Sequence, residues 1–339
     1  MTRVAVDLFS GSGGVTAGLK LAGWSVVAAV DNDPVASRTY RANHPDVSLI
    51  DSDITALATR RSLKAFCSGK KIDLLVVCAP CQPFSSQNRK KGYDPRDQLI
   101  LSAVPIARAL RPSLIFFENV PGLATPRHQP VLDLLRKRLR GLGYHLSDPH
   151  VKDAADYGVP QRRRRCIMVA STKLSALRRF EATDLAAPRR SVLQAIGDLV
   201  DTGEADDHLH RGRVHSLKAI ERLRAIPPDG GSRHSLPEHL RLACHKDDKS
   251  FPDVYGRMSW NDVAPTLTTG CTDVTKGRFA HPVLNRAITL REAARLQTFP
   301  DSYRFEGNHG QISKQIGNAV PPAMVACLVR GFDAALDQA

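Results

Sequence analysis

The chain has no apolar run approaching the ~20 residues that a membrane span needs. A strand-like run, Val4 to Phe9, begins almost at Met1 and leaves no room for a secretory signal ahead of it, so the cytoplasm is the expected compartment. A disulfide framework is also missing. The seven cysteines (Cys67, Cys78, Cys81, Cys166, Cys244, Cys271 and Cys327) are odd in number and scattered, which suits a reducing compartment. Cys78 and Cys81 form a lone CxxC, open to a thioredoxin-like redox role or to half a zinc site. No second CxxC or HxxxH follows at finger spacing, and no metal is expected. Cys78 closes the apolar run from Asp73 to Val77 and reads as a core thiol. Acidic charge is in deficit: 48 Lys and Arg against 34 Asp and Glu leave +14. That excess fits a solvated basic surface and a polyanionic partner equally well, and it does not separate DNA from RNA.

At 339 residues the chain is long enough for one large domain with a smaller one appended. Strand and helix patterns alternate through the first half. Apolar runs at Val4–Leu8, Ser25–Val30, Val47–Ile50, Ile72–Val77 and Ser113–Phe117 are separated by helical stretches at 14–21, 34–43, 54–66 and 99–110, with another at 131–139. This pattern predicts an α/β fold with a doubly wound, mostly parallel sheet covered on both faces, whose ligands sit beyond the strands' carboxyl ends. The pattern fails after about Ser171. Residues 172–285 show neither period nor repeat, and predict a loop-rich second domain. Regularity returns with a capping box at Thr289 and Glu292, and the last helix starts near Pro321–Pro322.

Candidate site residues gather at the predicted strand ends. Asp7-Leu-Phe9-Ser10-Gly11-Ser-Gly13-Gly14 joins the first strand to its helix, and glycines there let a ligand approach the backbone and the helix N-terminus. Asp31 and Asn32 follow the second strand, where an acid can grip ribose hydroxyls; Asp33 competes as a helix cap. Asp53, before Ile54, follows the third strand and is also placed to cap a helix. Pro80-Cys81-Gln82-Pro83 follows the fourth strand, and a cysteine framed by prolines sits on a rigid, accessible turn that suits a thiolate nucleophile. Glu118, in Glu118-Asn119-Val120, ends the fifth strand; a carboxyl group half-buried there resists ionisation and can donate a proton, or is merely a satisfied polar group. In Gln161-Arg162-Arg163-Arg164-Arg165, alternation puts Arg163 and Arg165 on one side of a strand and Arg162 and Arg164 on the other; the same run also reads as a solvated basic edge. No Asp/Asn-Pro-Pro-aromatic sequence, the mark of amino-group methyltransferases, is present.

Six segments together resemble, in order, the motifs of the DNA (cytosine-5) methyltransferase family of bacterial restriction–modification type. They are Asp7–Gly14, Pro80–Ser85, Glu118–Val120, Gln161-x-Arg163-x-Arg165, Arg291–Asp301 and Gln315–Val320. Asp31 stands where the family often has Glu, and Ser52 where it often has Gly. The resemblance implies a Rossmann-like, S-adenosylmethionine-dependent fold. A catalytic and cofactor domain would cover 1–171 and 302–339, a target-recognition domain 172–285, and a hinge 286–301. It implies transfer of a methyl group to carbon 5 of a cytosine flipped out of a specific double-stranded DNA sequence, with S-adenosylhomocysteine as the second product. Cys81 would be the nucleophile, Glu118 would hold the base, Arg165 would meet its O2, and Arg163 would lie near the cysteine. Phe9, Ser10, Gly11, Gly13, Gly14, Asp31, Asn32, Asp53, Ile54, Pro80, Leu99 and Asn318 would form the cofactor site. Gln82, Ser85, Arg96 and Thr268 would contact DNA, Thr268 also being suited to stabilising a turn. A monomer is expected, with a cognate restriction endonuclease acting separately. A tRNA cytosine-5 methyltransferase of the same fold is the alternative, although the Cys-Phe-Thr signature of that group is missing from the middle region.

Overall fold

A computed structural model describes residues 2–80, 95–200, 207–242 and 253–337, with backbone alone for 95–97. Contacts divide the chain into two units: 1–157, 164–187 and 320–339 form the first, and 158–163 with 188–319 the second.

In the first unit, strand and helix alternate: β1 (Val4–Leu8), α1 (Gly14–Leu21), β2 (Ser25–Asp31), α2 (Pro34–Asn43), β3 (Ser48–Asp51), α3 (Leu57–Phe66), β4 (Leu74–Val77), α4 (Ala103–Leu110), β5 (Leu114–Asn119) and α5 (Gln129–Arg140). β6 (His145–Leu146), β7 (His150–Asp153), β8 (Arg164–Ser171) and α6 (Leu174–Ala182) follow. Among the described residues the strands form one sheet in the order β3-β2-β1-β4-β5-β8-β6, with β7 also paired to β8. β1 to β5 are parallel, and β8 runs antiparallel to β5. The order reverses between β1 and β4, and the crevice beyond their carboxyl ends is where such sheets bind ligands.

Every residue of β4 and β5 is buried, which is why Leu74–Val77 and Leu114–Phe117 read as unbroken apolar runs rather than alternating ones. Val6, Leu75, Ile115 and Phe117 enter one core with Leu63, Ile106 and Leu135 from α3, α4 and α5. Phe116 faces the other way, its ring 5.2 Å from that of Phe332 in α11 (Pro322–Leu336), and Phe332 stacks on Phe180 of α6 at 5.5 Å. These ring contacts tie α6 and α11 to the first unit, although the sequence pattern is already irregular at 172.

The second unit holds α7 (Val192–Ile196), α8 (Leu217–Ala225), α9 (Leu290–Leu296) and α10 (His309–Asn318), joined by long irregular segments. The sequence places the return to the first unit at 302, whereas the contacts of 302–319 lie in the second unit and the chain returns at Val320. α10 packs on α9, and the Ser313 hydroxyl donates to the Thr269 carbonyl at 3.0 Å. Backbone groups without a strand ladder still need partners. Buried Arg257 supplies many of them, donating to the carbonyls of Ile226, His281, Leu284 and Leu223 and to the Asn285 side chain. The apolar stretch His309–Leu336 is long enough by composition to cross a membrane, yet it comprises two helices, and most of its apolar window is buried in protein.

α1 and α11 cross closely because Gly18 has no side chain. A Cβ there would stand 2.4 Å from the Pro322 carbonyl oxygen and 2.6 Å from the Val325 Cβ. Gly18→Ala should therefore lower stability by about 1–3 kcal/mol, although the same change in an open helix adds up to ~1 kcal/mol. Thermal denaturation decides between the two signs.

Candidate active site

The turn after β1 is held in unusual backbone geometry. Gly11 and Gly13 have φ of 53° and 92°, and Phe9 has φ of 58°. A bulky residue in that region costs of order 1–3 kcal/mol, and such strain concentrates at ligand sites. A Cβ on Gly11 would meet nothing within 4 Å, so open space lies in front of the turn. Asp31, at the end of β2, anchors it: Asp31 Oδ2 accepts from the Gly11 N–H at 2.8 Å, and Oδ1 accepts from the Asp33 N–H at 2.8 Å. Burial pushes the Asp31 carboxyl up, against those N–H bonds. α1 begins at Gly14 without a side-chain cap or an acidic residue in its first turn, so its N-terminal N–H groups face the same turn. Ser10 is buried and Asn32 exposed.

The competing roles of the three aspartates separate here. Asp33 is the helix cap, accepting from Val35 N–H at 3.0 Å and Ala36 N–H at 3.2 Å. Asp53 is exposed and caps only its own turn, accepting from the Thr55 N–H and hydroxyl; α3 starts later, at Leu57, with Ala56 before it. Ile54 is buried beside it, while Pro80 and Leu99 are half-buried.

Support for the turn comes from α1, α2 and the residue that closes α2, through side chains that sequence reasoning passed over. Buried His44 meets the Gly13 carbonyl through Nε2 at 3.3 Å, and burial lowers its pKa to about 4, so the ring is neutral. The Thr16 hydroxyl donates to Asp7 Oδ2 at 2.9 Å and lies 2.8 Å from the Tyr40 hydroxyl. Asp7 Oδ1 has no hydrogen-bond partner among the described residues. Burial pushes the Asp7 carboxyl up to about 7.

At the end of β5, alternate residues do different work. Glu118 is 7% exposed and Arg165 is 9% exposed, and Arg165 Nε lies 2.8 Å from Glu118 Oε1. Arg165 also donates to the Arg164 carbonyl at 2.8 Å. Asn119 is buried; its Nδ2 donates to the Ala79 carbonyl at 3.0 Å, and its Oδ1 accepts from the Val120 N–H at 2.9 Å. That bond fixes the backbone two residues before Cys81. Cys81, Gln82 and Ser85 themselves lie outside the described residues, as does the side chain of Arg96. Burial, with Glu118 and Asp7 nearby, raises the Cys78 thiol well above its ordinary range, so Cys78 is a poor thiolate.

The second unit holds the remaining candidates. Arg163, 2% exposed, donates to the carbonyls of Leu267 (3.1 Å), Gly317 (3.0 Å) and Ala319 (2.9 Å). Gln161 accepts from the Leu267 N–H at 2.9 Å and donates to Gln297 at 3.0 Å. Arg162 and Arg164 are exposed, as strand alternation requires. Thr268 is half-buried, and its hydroxyl oxygen accepts from the Gly270 N–H at 3.4 Å, a turn bond that leaves its O–H able to donate. Gly317 passes so close that a Cβ would stand 2.3 Å from the Thr268 carbonyl oxygen. Exposed Asn318 ends α10. Among the described residues no group of three or more His, Cys, Asp or Glu is arranged to hold a metal ion.

A doubly wound sheet with a strained glycine turn and an anchored acid beside its switch point defines a Rossmann-like, nucleotide-type cofactor-binding fold. A prophage-encoded E. coli protein described as a DNA modification methyltransferase shares the fold, with a TM-score of 0.78 and 25% identity over 99% of this chain and 100% of that one. A Spodoptera frugiperda DNMT2 mutant shares it with a TM-score of 0.66 and 20% identity over 98% and 100%. The model of the C-5 cytosine-specific DNA methylase family matches residues 4–331, and the chain belongs to that family. It is 38% identical to the type II methylase M.HgiDII of Herpetosiphon aurantiacus over 96% of this chain and 93% of that one. It is 35% identical to the type II methyltransferase M.PspPI of Psychrobacter over 93% and 75%. The chain is therefore a DNA cytosine-5 methyltransferase whose cofactor is S-adenosylmethionine. The open glycine turn and the capless helix behind it fit that cofactor.

Two outcomes follow from this geometry. The folded state keeps the Asp7 proton up to about pH 7, while an unfolded aspartate loses it near ~4. Between those values the native state binds more protons, so stability falls as pH rises and then levels off, by a total of order 4 kcal/mol. Asp7→Asn should flatten that slope and raise stability at pH 8; denaturant melts at pH 5 and pH 8 read it, and an unchanged slope contradicts it. Asn119→Ala frees the Ala79 carbonyl and should lower kcat about tenfold, with little change in KM for S-adenosylmethionine. Steady-state methyl-transfer kinetics separate the two parameters.

Proposed function

We propose that the chain methylates carbon 5 of a cytosine swung out of a specific double-stranded DNA sequence, through a covalent bond between Cys81 and carbon 6. The observation that carries this reading is the buried Arg165–Glu118 pair, next in sequence to the Asn119 bond that holds the strand end leading to Cys81. A thiolate alone would be a general nucleophile; an oriented carboxylate and guanidinium acting with it would make the reaction selective for a base edge.

S-adenosylmethionine supplies an electrophilic methyl on its sulfonium and leaves as S-adenosylhomocysteine. Phe9, Ser10, Gly11, Gly13, Gly14, Asp31, Asn32, Asp53, Ile54, Pro80 and Leu99 would hold it, with Asn318 a further candidate for the same role. Carbon 5 of cytosine is too weak a nucleophile unaided. The Cys81 thiolate forms a bond to carbon 6, and the electron pair of the broken 5,6 double bond makes carbon 5 enamine-like. Glu118 holds N3 and the exocyclic amine, and protonation at N3 stabilises the adduct. Arg165 donates to O2. Arg163 is a positioning residue that acts through the carbonyls of 267, 317 and 319. After methylation a base removes the carbon-5 proton, the 5,6 double bond re-forms, and Cys81 leaves with the electrons of the carbon–sulfur bond. None of this is accessible in a stacked pair, so the base is extruded at a cost of a few kcal/mol. Gln82, Ser85 and Arg96 contact the DNA around the gap, and the second unit, with Thr268, recognises the sequence. The type II relatives suggest a restriction endonuclease that acts separately on the same site.

Bisulfite sequencing of DNA treated with the purified chain should show one methylated sequence context, and transfer to tRNA alone would overturn the proposal. Cys81→Ser should lower methyl transfer by at least ~10³-fold, while Cys78→Ser changes it by less than about tenfold. A duplex with 5-fluorocytosine at the target cannot lose the carbon-5 substituent as a proton, so wild type should form a denaturation-stable protein–DNA adduct that Cys81→Ser does not.

A further inference from the structure

The second unit displays two large aliphatic side chains at a level found nowhere else among the described residues. Val214 is 93% exposed and Leu217 is 86% exposed; the next large hydrophobic is Leu21 at 68%. Single exposed apolar residues are ordinary on protein surfaces. These two differ because the backbone around them is tied down. On one side of Val214, Arg213 Nη1 donates to Asp273 Oδ2 at 3.0 Å. On the other, His215 Nε2 accepts from the Ala287 N–H at 3.1 Å, and burial together with the Arg213 charge lowers the His215 pKa, which preserves the neutral acceptor. Ser216 then caps α8 by accepting from the Ala219 N–H at 3.3 Å. α8 buries Ala219 and Leu223, and Leu217 lies off that stripe. The fold thus presents Val214 and Leu217 outward on a fixed ridge.

The setting of the ridge indicates the kind of partner. Residues 208–225 contain Arg211, Arg213, Lys218, Arg222 and Arg224 against one carboxylate, Glu221. Two copies of such a ridge repel each other, whereas a polyanion is attracted. The Arg213–Asp273 bond also places the ridge beside the loop that follows Thr268, where Asp273 closes the turn by accepting from the Thr275 N–H at 2.9 Å and hydroxyl at 2.8 Å. Phosphates offer nothing to valine or leucine. Apolar side chains on DNA meet thymine methyl groups or the faces of an unstacked base step.

We propose that the ridge 211–218 lies against duplex DNA, with Val214 and Leu217 in apolar contact with bases at or beside the recognised sequence, and Arg211 and Lys218 on the flanking phosphates. This deepens the reading of the second unit as the sequence-recognising part and rests on it. The apolar pair contributes base contact, and the cations contribute the salt-dependent share of affinity.

The test uses the full chain and two fluorescent duplexes, one containing the site mapped by bisulfite sequencing and one of random sequence. Affinity is read by anisotropy, separately from methyl transfer. Val214→Ser combined with Leu217→Ser should weaken binding to the mapped duplex about tenfold, narrow the gap between the two duplexes, and leave the salt dependence, Tm and S-adenosylmethionine affinity unchanged. Arg211→Ala combined with Lys218→Ala should weaken both duplexes alike and reduce the slope of log K against log salt by about 1.8, from ~0.9 for each phosphate contact. Wild-type affinity in the double serine variant overturns the inference. So does a wild-type dimer in sedimentation that the serine variant loses, because the surface then belongs to a second copy. If bisulfite sequencing finds no methylated site, the functional reading fails, while the ridge is still judged on the random duplex by the affinity the serine variant loses and the salt slope the alanine variant loses.

Discussion

The ion pair between Arg165 and Glu118 is the constraint on which the candidate site depends. It exists because β8 runs antiparallel to β5, in a register that pairs Glu118 with Ile167. Arg165, two residues from Ile167, then falls on the same face as Glu118, near the carboxyl end of β5 and the start of β8. Taking both charges out of water costs several kcal/mol each, so the pair persists only where geometry and further hydrogen bonds offset that cost. Here the guanidinium is also bonded to the Arg164 carbonyl, which fixes the carboxylate's orientation before any ligand arrives. The next residue, Asn119, projects to the other face and secures the end of β4 through Ala79. One strand end therefore sets both the orientation of the Glu118 carboxylate and the backbone that leads to the proposed nucleophile.

The second unit is organised differently. Among the described residues its backbone has isolated bridges rather than ladders, such as Gln161 with Ala264 and Arg257 with Ala280. Buried arginines do what a sheet would otherwise do: Arg257 joins Leu223, Ile226, His281 and Leu284, and Arg163 joins Leu267 to Gly317 and Ala319. Arginine suits this role because it offers five N–H donors in a rigid fork and keeps its charge. The arrangement joins the Thr268 segment and the Asn318 turn into one piece, so two candidates far apart in sequence move together.

This difference explains which parts could be read from the chain. β1 to β5 and their helices follow hydrophobic period and glycine punctuation, which are local properties. The aspartates after β2 and β3 carried competing roles because capping and ligand-anchoring use the same acceptor; only the bonds from Gly11, Val35 and Thr55 separate Asp31, Asp33 and Asp53. Nothing local announced His44 beneath Gly13, or the Thr16 link between Asp7 and Tyr40. Nor did the period reveal that α6 belongs with the first unit, since that depends on Phe180 meeting Phe332.

Cysteine spacing, the glycine turn, the Glu-Asn pair and the alternating arginines were legible by themselves, and in their order they identify a cytosine-5 methyltransferase. That is possible because each motif is a short run whose chemistry is carried by residue type and chain-neighbour spacing. Tertiary structure alone decided which acid anchors the turn, that Asn119 holds the strand end before Cys81, that Arg163 serves carbonyls more than 100 residues away, and that Val214 and Leu217 stand outside the core. Those outcomes depend on which donors and acceptors become neighbours after the chain has crossed between sheet positions, and on which apolar side chains are left exposed. No local pattern encodes either.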